Sequence, residues 1–317
     1  MKRIYLDHAA TTPMDERVLK AMAPYFTEKY GNASSLHSFG TEAREAVDKA
    51  REKVAGILNA ESDEIIFNSG GTEGDNMALR GVAYANKRKG KEIITTKIEH
   101  HAIEHTTEKL KAGGFEATFL DVNKQGFISL AELERKANSN TILVSVMHAN
   151  NEIGTIEPIK EIGDICRKKD IYFHTDAVQS VGKEKIDVRK MNIDLLSSSA
   201  HKFYGPKGVG FLFVRKGMKI RPIIHGGGHE FGLRSGTENV AGIVGLARAL
   251  ELADKEMERE SARERKIVKK IVKETLEIKN SWLNGPEIGK RRLSNNVNLG
   301  FDFVEGESMV LMMDDVG

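Results

Sequence analysis

The 317-residue sequence contains one cysteine, Cys166, and one tryptophan. A lone thiol forms no disulfide within the chain, so we expect a reducing, cytoplasmic setting. The 48 lysines and arginines nearly balance the 46 aspartates and glutamates, and the formal net charge of +2 gives no indication of a nucleic-acid surface. No apolar run approaches the roughly 20 residues of a membrane-spanning helix, and no signal-peptide pattern is present. We therefore expect neither a nucleic acid nor a membrane as a direct partner.

Apolar segments of strand length alternate with amphipathic segments along most of the sequence. A chain of 317 residues exceeds one ordinary domain and can bury a substantial core. The alternation predicts an α/β fold in which a mostly parallel central sheet is covered by helices on both faces. Helices are predicted to begin at Glu73 and after His100. The strand-like segments are residues 64–67, 92–96, 117–120, 141–147, 171–175, 194–198 and 209–214.

The segment 251–277 is rich in lysine, arginine and glutamate, which is typical of the solvated face of a helix. We place a domain boundary in this region. The larger domain is predicted to comprise residues 15–255, and a smaller α+β domain to comprise residues 1–14 and 256–317. Within the smaller domain, the first strand and the first helix are predicted at residues 293–301 and 306–313.

The most informative segment is residues 194–208 (DLLSSSAHKFYGPKG), an apolar strand with a hydroxyl-rich end that is followed by Lys202. A lysine at a buried strand end loses hydration, which lowers its pKa and makes the amine a nucleophile toward an aldehyde. Ser199 and His201, close to Lys202, are suited to binding an anion such as phosphate. The pattern indicates a Schiff-base lysine, and a solvated loop lysine is the alternative that this segment alone leaves open.

Two segments upstream point to the same kind of site. Residues 171–176 (IYFHTD) form a short apolar run that ends in Asp176, as expected where an open α/β sheet presents a carboxylate to its ligand crevice. Residues 65–79 pass from a strand through two glycines into a helix, where backbone amides and the Thr72 hydroxyl form a candidate phosphate cradle. The segment lacks the Gly-Lys-Ser/Thr of a Walker loop, and no Gly-x-Gly-x-x-Gly follows a strand, so nucleotide binding loses support.

A phosphate cradle, a strand-end aspartate and a lysine after Ser-x-His occur here in the order found in fold-type I pyridoxal phosphate enzymes. The local sequence resembles the cysteine desulfurase family in class V of these enzymes. The resemblance implies a fold-type I transferase fold with pyridoxal 5'-phosphate (PLP) as cofactor. The blocks that carry the resemblance are YLDHAATTP (5–13), YGNASS (30–35), SGGTE (69–73), EH (99–100), MHANNEIGT (147–155), HKFYGPKGVG (201–210) and HGGGHEFGLRSGT (225–237).

The resemblance implies roles for three catalytic residues. Lys202 would hold PLP covalently and remove the Cα proton of the substrate. Asp176 would keep the ring nitrogen of the cofactor protonated, which makes PLP an electron sink. His100 would stack on the cofactor ring and is a weaker candidate for moving a proton.

The resemblance also implies a set of binding residues. Gly71, Thr72, Ser199 and His201 would bind the phosphate group. Thr237, after the glycine-rich loop, would reach the phosphate in the neighbouring subunit, so a homodimer is expected. Near the phenolic oxygen of the cofactor, the partners implied are Asn151, in preference to Asn150, and Gln179.

The implied reaction converts L-cysteine to L-alanine and passes sulfur as a persulfide to an iron-sulfur scaffold or a thiolation protein. In the family, the sulfur-accepting cysteine lies on a loop that would follow Gly317, as does an arginine that binds the substrate carboxylate. Cys166 lies on a predicted amphipathic helix and is expected to be structural. Residues 1–317 alone are therefore expected to bind cysteine without releasing its sulfur catalytically.

Several alternatives stay open from the sequence. His100, His101 and His105 lie together, and the last two are one helical turn apart, as a metal-binding pair could be, although no third ligand of suitable spacing is evident. A class V aminotransferase or a selenocysteine lyase would share the lysine, aspartate and phosphate contacts. A desulfurase-like scaffold subunit without activity is a further possibility, against which the presence of Lys202 and Asp176 argues.

Overall fold

A seven-stranded sheet forms the centre of the molecule, whose structure is a computed structural model that describes residues 3–316. The strands are β1 (Ile65–Asn68), β2 (Glu92–Thr96), β3 (Glu116–Leu120), β4 (Thr141–Ser145), β5 (Tyr172–Asp176), β6 (Leu195–Ser199) and β7 (Gly210–Val214). They lie in the order β1-β7-β6-β5-β4-β2-β3. Strand β7 runs antiparallel to β1 and β6, and the other neighbours are parallel.

Helices cover both faces of this sheet. The helices of the described residues are α1 (Glu16–Met22), α2 (Pro24–Thr27), α3 (Ser38–Leu58), α4 (Gly71–Asn86), α5 (His101–Ala112), α6 (Leu130–Lys136), α7 (Ile159–Lys168), α8 (Val240–Thr275) and α9 (Gly306–Val316). A small antiparallel pair, β8 (Ser281–Leu283) and β9 (Leu299–Phe301), lies outside the central sheet. Within residues 3–316, no helix has the length and apolar character needed to cross a membrane.

The two faces of the sheet pack into separate apolar clusters. Successive side chains of a strand point to opposite faces. In β1, Ile66 packs with residues of α4 and α5, whereas Ile65 and Phe67 pack with residues of α3, α7 and α8. Six of the seven strands are buried at nearly every residue, as expected for a mostly parallel sheet, whereas the edge strand β3 is partly exposed. The predicted fold class is confirmed.

Two predicted strands are shorter in the structure than in the sequence analysis. The segment 141–147 is a strand only to Ser145, because the Met147 amide donates to the Glu99 carboxylate at 3.0 Å and not to a neighbouring strand, although the Val146 and His148 amides still donate to β5. The segment 293–301 is a strand only over Leu299–Phe301. The buried Arg292 guanidinium donates to carbonyl oxygens on both sides of it, which holds the preceding residues in a loop.

The division into two domains stays a prediction. Helix α8 is unbroken from Val240 to Thr275 and so passes through the predicted boundary at residue 255. Of the predicted smaller domain, residues 1, 2 and 317 lie outside the described residues.

A buried ion pair fixes the glycine-rich segment 225–237 against the sheet. Arg51 of α3 donates two hydrogen bonds to Glu230, of 2.7 and 2.8 Å, and the two side chains are 5% and 4% exposed. Glu230 also accepts a 2.8 Å bond from the Phe67 amide. Glu230 and Phe231 have φ angles of 49° and 57°, which cost energy for residues other than glycine. The ion pair therefore offsets local backbone strain.

Replacing Glu230 by alanine should destabilise the fold by about 3–5 kcal/mol, since Arg51 would be left as a buried charge without a partner. Urea unfolding monitored by circular dichroism measures this loss. Glu45→Ala is the control, because it removes a solvent-exposed pair with Lys49 and should cost less than about 0.5 kcal/mol. Equal losses in the two variants would contradict the role given to the buried pair.

Candidate active site

The ends of the parallel strands and the N-terminal segment enclose a cavity of about 470 Å³. The exposed Thr237 is not part of its lining. The other predicted cofactor-binding residues do line it, namely Gly71, Thr72, His100, Asn151, Asp176, Gln179, Ser199, His201 and Lys202. Residues that are far apart in the sequence thus face one space.

Lys202 ends a 3-10 turn that follows β6, and its side chain is half-buried. Its Nζ donates to the carbonyl oxygens of Ala9 and Ala10, at 2.8 Å for Ala10. Burial lowers the pKa of Lys202, and the nearby carboxylates of Asp176 and Asp7 oppose this shift. The neutral amine, which is the form that attacks an aldehyde or accepts a proton, is therefore more accessible than in a solvated lysine.

Asp176 is the last residue of β5 and is 5% exposed. Its Oδ1 accepts a hydrogen bond of 2.9 Å from the Val178 amide. Burial raises the pKa of Asp176, and the Val178 amide, His100 and Lys202 oppose the rise. Two of the groups that favour a charged Asp176, His100 and Lys202, therefore face the same cavity.

The start of α4 forms the glycine cradle that the sequence predicts. Gly70 has a φ of 143°, a conformation open mainly to glycine. A Cβ on Gly71 would lie 2.6 Å from Val178 Cγ2, so a side chain there would collide with the cavity wall. The first amides of a helix have no acceptor within the helix and point outward. A recess of about 440 Å³ adjoins them, with Thr72, Ser199 and Lys207 in its wall.

The two histidines of the cavity are held by different contacts. His201 Nδ1 lies 3.0 Å from Thr11 Oγ1, and burial together with the Lys202 charge lowers its pKa to about 4. His201 is therefore neutral at physiological pH. His100 caps α5, with its Nδ1 accepting a 3.1 Å bond from the Ala102 amide. Because Nδ1 accepts this bond, Nε2 is the ring nitrogen of His100 that carries a proton.

The amide side chains of the cavity divide into structural and accessible ones. Asn150 is buried, donates to the Ile98 carbonyl and accepts from the Glu152 amide, both at 2.9 Å, so it holds a turn. Asn151 lines the cavity, which favours it over Asn150 as a ligand residue. Gln179 also lines the cavity, and its Nε2 donates to the Ala9 carbonyl at 2.9 Å.

Sequence reasoning missed part of the cavity wall. Asp7, Ala9 and Ala10 close one side of it, although the block 5–13 had been noted only for its resemblance. Asp75 also lines the cavity, and its spacing of three residues from Thr72 places both on one face of α4. That helical spacing is the signal by which Asp75 could have been found.

The remaining candidates lie apart from this chemistry. Cys166 of α7 is 1% exposed, and burial strongly raises its pKa, so its thiol is a poor nucleophile. The rings of His101 and His105 stack at a centroid distance of 5.1 Å. In the part of the chain that the structure describes, no three His, Cys, Asp or Glu side chains are grouped to hold a metal ion.

The residues of the cavity fit PLP. An amine with a lowered pKa can hold an aldehyde, and a strand-end carboxylate can pair with a protonated pyridine nitrogen. The cradle at Gly70 and Gly71 leaves room for a phosphate where a side chain would not fit. The cavity supplies each type of contact that the cofactor needs.

The comparisons with known proteins agree on one family. The family model described as "Aminotransferase class-V" matches residues 4–317. A protein of Clostridium botulinum named cysteine desulfurase IscS is 55% identical over 99% of this chain and 79% of its own length. A cysteine desulfurase IscS of Dictyoglomus turgidum is 54% identical, over 99% and 80%.

Solved structures show the same similarity. A NifS-like protein superposes with a TM-score of 0.97 at 42% identity, over 100% of this chain and 86% of that one. The structure titled "SspA in complex with cysteine" gives a TM-score of 0.87 at 38% identity, over 99% and 87%. These similarities extend over nearly the whole chain and include every element that contributes to the cavity.

The cradle predicts a matched pair of glycine variants. Gly71→Ala should weaken PLP binding about 5- to 150-fold, because the new methyl group would press on the branched Val178 and typical overpacking costs about 1–3 kcal/mol. Titration of the apoprotein with PLP, followed by absorbance, measures the Kd. In Gly56→Ala, a Cβ on α3 meets open space, so PLP binding should not change. Unchanged affinity in Gly71→Ala would contradict the cradle.

Proposed function

Because the chain belongs to the class-V aminotransferase family, we propose that it is a PLP-dependent cysteine desulfurase, which converts L-cysteine to L-alanine and passes on the sulfur. The relatives named cysteine desulfurase support this reaction over transamination. The observation that carries the proposal is the cavity in which Lys202 and Asp176 face one space beside a glycine cradle. L-cysteine is the proposed substrate, consistent with a structural neighbour whose title names a complex with cysteine.

When bound, PLP supplies an electron sink that allows an amino acid to lose its Cα proton. We assign its covalent attachment to Lys202 and the contact with its ring nitrogen to Asp176. His100 would lie against the ring. The contacts with the phenolic oxygen and with the phosphate are assigned to Asn151 and Gln179, and to Gly71, Thr72, Ser199 and His201.

Lys202 is the proposed base for the Cα proton. Its Nζ must be neutral to accept a proton, and burial favours that form. The Ala9 and Ala10 carbonyls, to which Nζ now donates, hold the amine at the cavity wall. Asp176 has the complementary task, since its negative charge stabilises a proton on the ring nitrogen.

The sulfur step needs a thiol other than Cys166. Cys166 packs among core residues and is not part of the cavity lining. The proposed product of the step is a persulfide, which would pass its sulfur to an iron-sulfur scaffold or a thiolation protein. A cytoplasmic location is proposed on the same basis as in the sequence analysis, namely a single thiol without a disulfide partner in the chain.

We also propose a homodimer in which Thr237 reaches the cradle of the neighbouring subunit. Thr237 is exposed and does not line the cavity of its own chain. The segment that carries it is held firmly, because Arg51 binds Glu230 and Arg234 binds Glu73 of the cradle helix at 2.8 Å. A fixed, outward-facing threonine is suited to a site on another subunit.

Covalent attachment at Lys202 is the first expectation from this function. The protein should absorb in the visible with PLP bound, and borohydride reduction should fix the cofactor on the peptide that contains Lys202. Lys202→Ala should abolish the labelled peptide. Lys207→Arg is the matched control, because Lys207 lines the adjoining recess but not the cavity itself. Label on Lys207, or on no lysine, would refute the assignment.

A second experiment tests the reaction itself. Residues 1–317 with PLP should exchange the Cα hydrogen of L-alanine for solvent deuterium, as followed by NMR, because this step needs only the base and the electron sink. Sulfide release from L-cysteine should stay at the level of free PLP, since the one thiol present is buried. Neither result should change in Cys166→Ser.

Two outcomes would contradict this expectation. Consumption of a keto acid with L-cysteine as amino donor would identify an aminotransferase instead. Sulfide release that is lost in Cys166→Ser would show that Cys166 is the sulfur acceptor.

A further inference from the structure

A row of polar side chains lies on the face of the sheet that α4 covers, directly behind the cavity. Residues two apart in a strand share a face, so His174 and Asp176 of β5 point to the same side. The strand registers place Ser145 beside His174 and Ser197 beside Asp176. Tyr172, which also shares this side, packs against the cluster of α4 and α5.

His174 is the centre of this row and is fully buried. Its Nδ1 lies 2.9 Å from Ser145 Oγ, and its Nε2 lies 3.0 Å from Ser197 Oγ. The same Nε2 is 3.6 Å from Asp75 Oδ1. Burial lowers the pKa of His174 to about 3, so the ring is neutral and brings no positive charge to Asp75.

Asp75 faces this row from α4 and is 1% exposed. Its Oδ1 has no hydrogen-bond partner, and the residue still lines the cavity. Burial raises the pKa of Asp75 well above its ordinary range, a negative charge on Asp176 or on Glu99 raises it further, and a hydrogen bond from Ser197 opposes the rise. Strand β6 presents Ser197 to it, and β5 presents the neutral His174.

Asp176 is in a different position, although it is also buried. The Val178 amide, His100 and Lys202 all favour its charged form. Two desolvated carboxyl groups that influence one another do not both ionise readily, and the proton goes to the one with fewer stabilising contacts. Here that group is Asp75.

We propose that Asp75 holds a proton behind Asp176, so that the carboxylate charge of this pair resides on Asp176, where it faces the cavity. Asp75 is thus a positioning residue that acts through Asp176. A second negative charge at Asp75 would draw a proton onto Asp176 and remove the charge assigned to the cofactor nitrogen. The proposal rests on the proposed function only for that last link, because the proton on Asp75 exists without a cofactor.

The bound proton predicts how the stability of the apoprotein depends on pH. An acid whose pKa is raised by folding binds more protons in the folded state than in the unfolded state. Its contribution to stability is fully present below its ordinary pKa of about 4 and is lost as pH rises toward the raised value. Asp75→Asn removes this loss and keeps the shape of the side chain.

The first measurement is the melting temperature of the apoprotein from pH 5 to pH 8. Asp75→Asn should melt about 2–4 °C above wild type at pH 8, and the difference should shrink toward pH 5. The control is Asp48→Asn, which changes an exposed carboxylate on α3 and should give no difference that varies with pH. The proposal would be overturned if the Asp75→Asn variant were less stable than wild type by the same amount at every pH.

Infrared spectroscopy of the apoprotein identifies which carboxyl group carries the proton, and it does not require a folded Asp75→Asn variant. The C=O band of a protonated carboxyl group should be present in wild type at pH 7 and should persist in Asp176→Asn. Glu99 and Glu157, whose pKa values burial raises to about 8 and about 7, should add further bands, which Glu99→Gln and Glu157→Gln assign.

The result that would overturn the assignment is loss of the first band in Asp176→Asn, since the proton would then belong to Asp176. Loss of the same band in Asp75→Asn would support it, where that variant folds. None of these measurements involves PLP, so a failure of the Lys202 labelling would refute the proposed function and leave the proton on Asp75 untouched.

Discussion

Removal of ionisable groups from water at the carboxyl edge of the parallel sheet governs the chemistry of this molecule. Burial drives both Lys202 and Asp176 toward their neutral forms, because it lowers the pKa of the amine and raises that of the acid. The two groups face one cavity, and each favours the charged form of the other. The adjacent strands β5 and β6 create this balance by ending side by side, and a shift of either strand would change both groups.

Much of this arrangement could be predicted from the sequence, because the signals are local. Short apolar runs predict the strands, and in a parallel sheet their carboxyl ends must meet along one edge. Asp176 and Lys202 follow such runs directly, and Gly71 begins the helix after another. Once strand ends converge, residues at those ends converge with them. The family resemblance indicates the roles of these residues, and the fold explains why they lie close together.

The rest could not be predicted, because it depends on contacts between residues far apart in the sequence. Arg51 and Glu230 are separated by 179 positions, and nothing near either one indicates a buried partner. Lys202 donates to the backbone carbonyl of Ala9, which is 193 positions away, and the methyl side chain of Ala9 gives no indication of this contact. In the sequence, Asp75 resembles an ordinary polar residue of an amphipathic helix, and only the structure shows that the sheet buries it.

Buried charge is handled in two contrasting ways in this molecule. Arg51 and Glu230, away from the cavity, satisfy each other with parallel hydrogen bonds, and their pairing stabilises a strained segment. Asp75, at the cavity wall, has an oxygen without a partner and the carboxylate of Asp176 as a neighbour, which is unfavourable for folding. A buried carboxyl group that weakens the fold beside a site is better explained by chemistry than by stability. The cost at Asp75 is consistent with keeping the charge on Asp176.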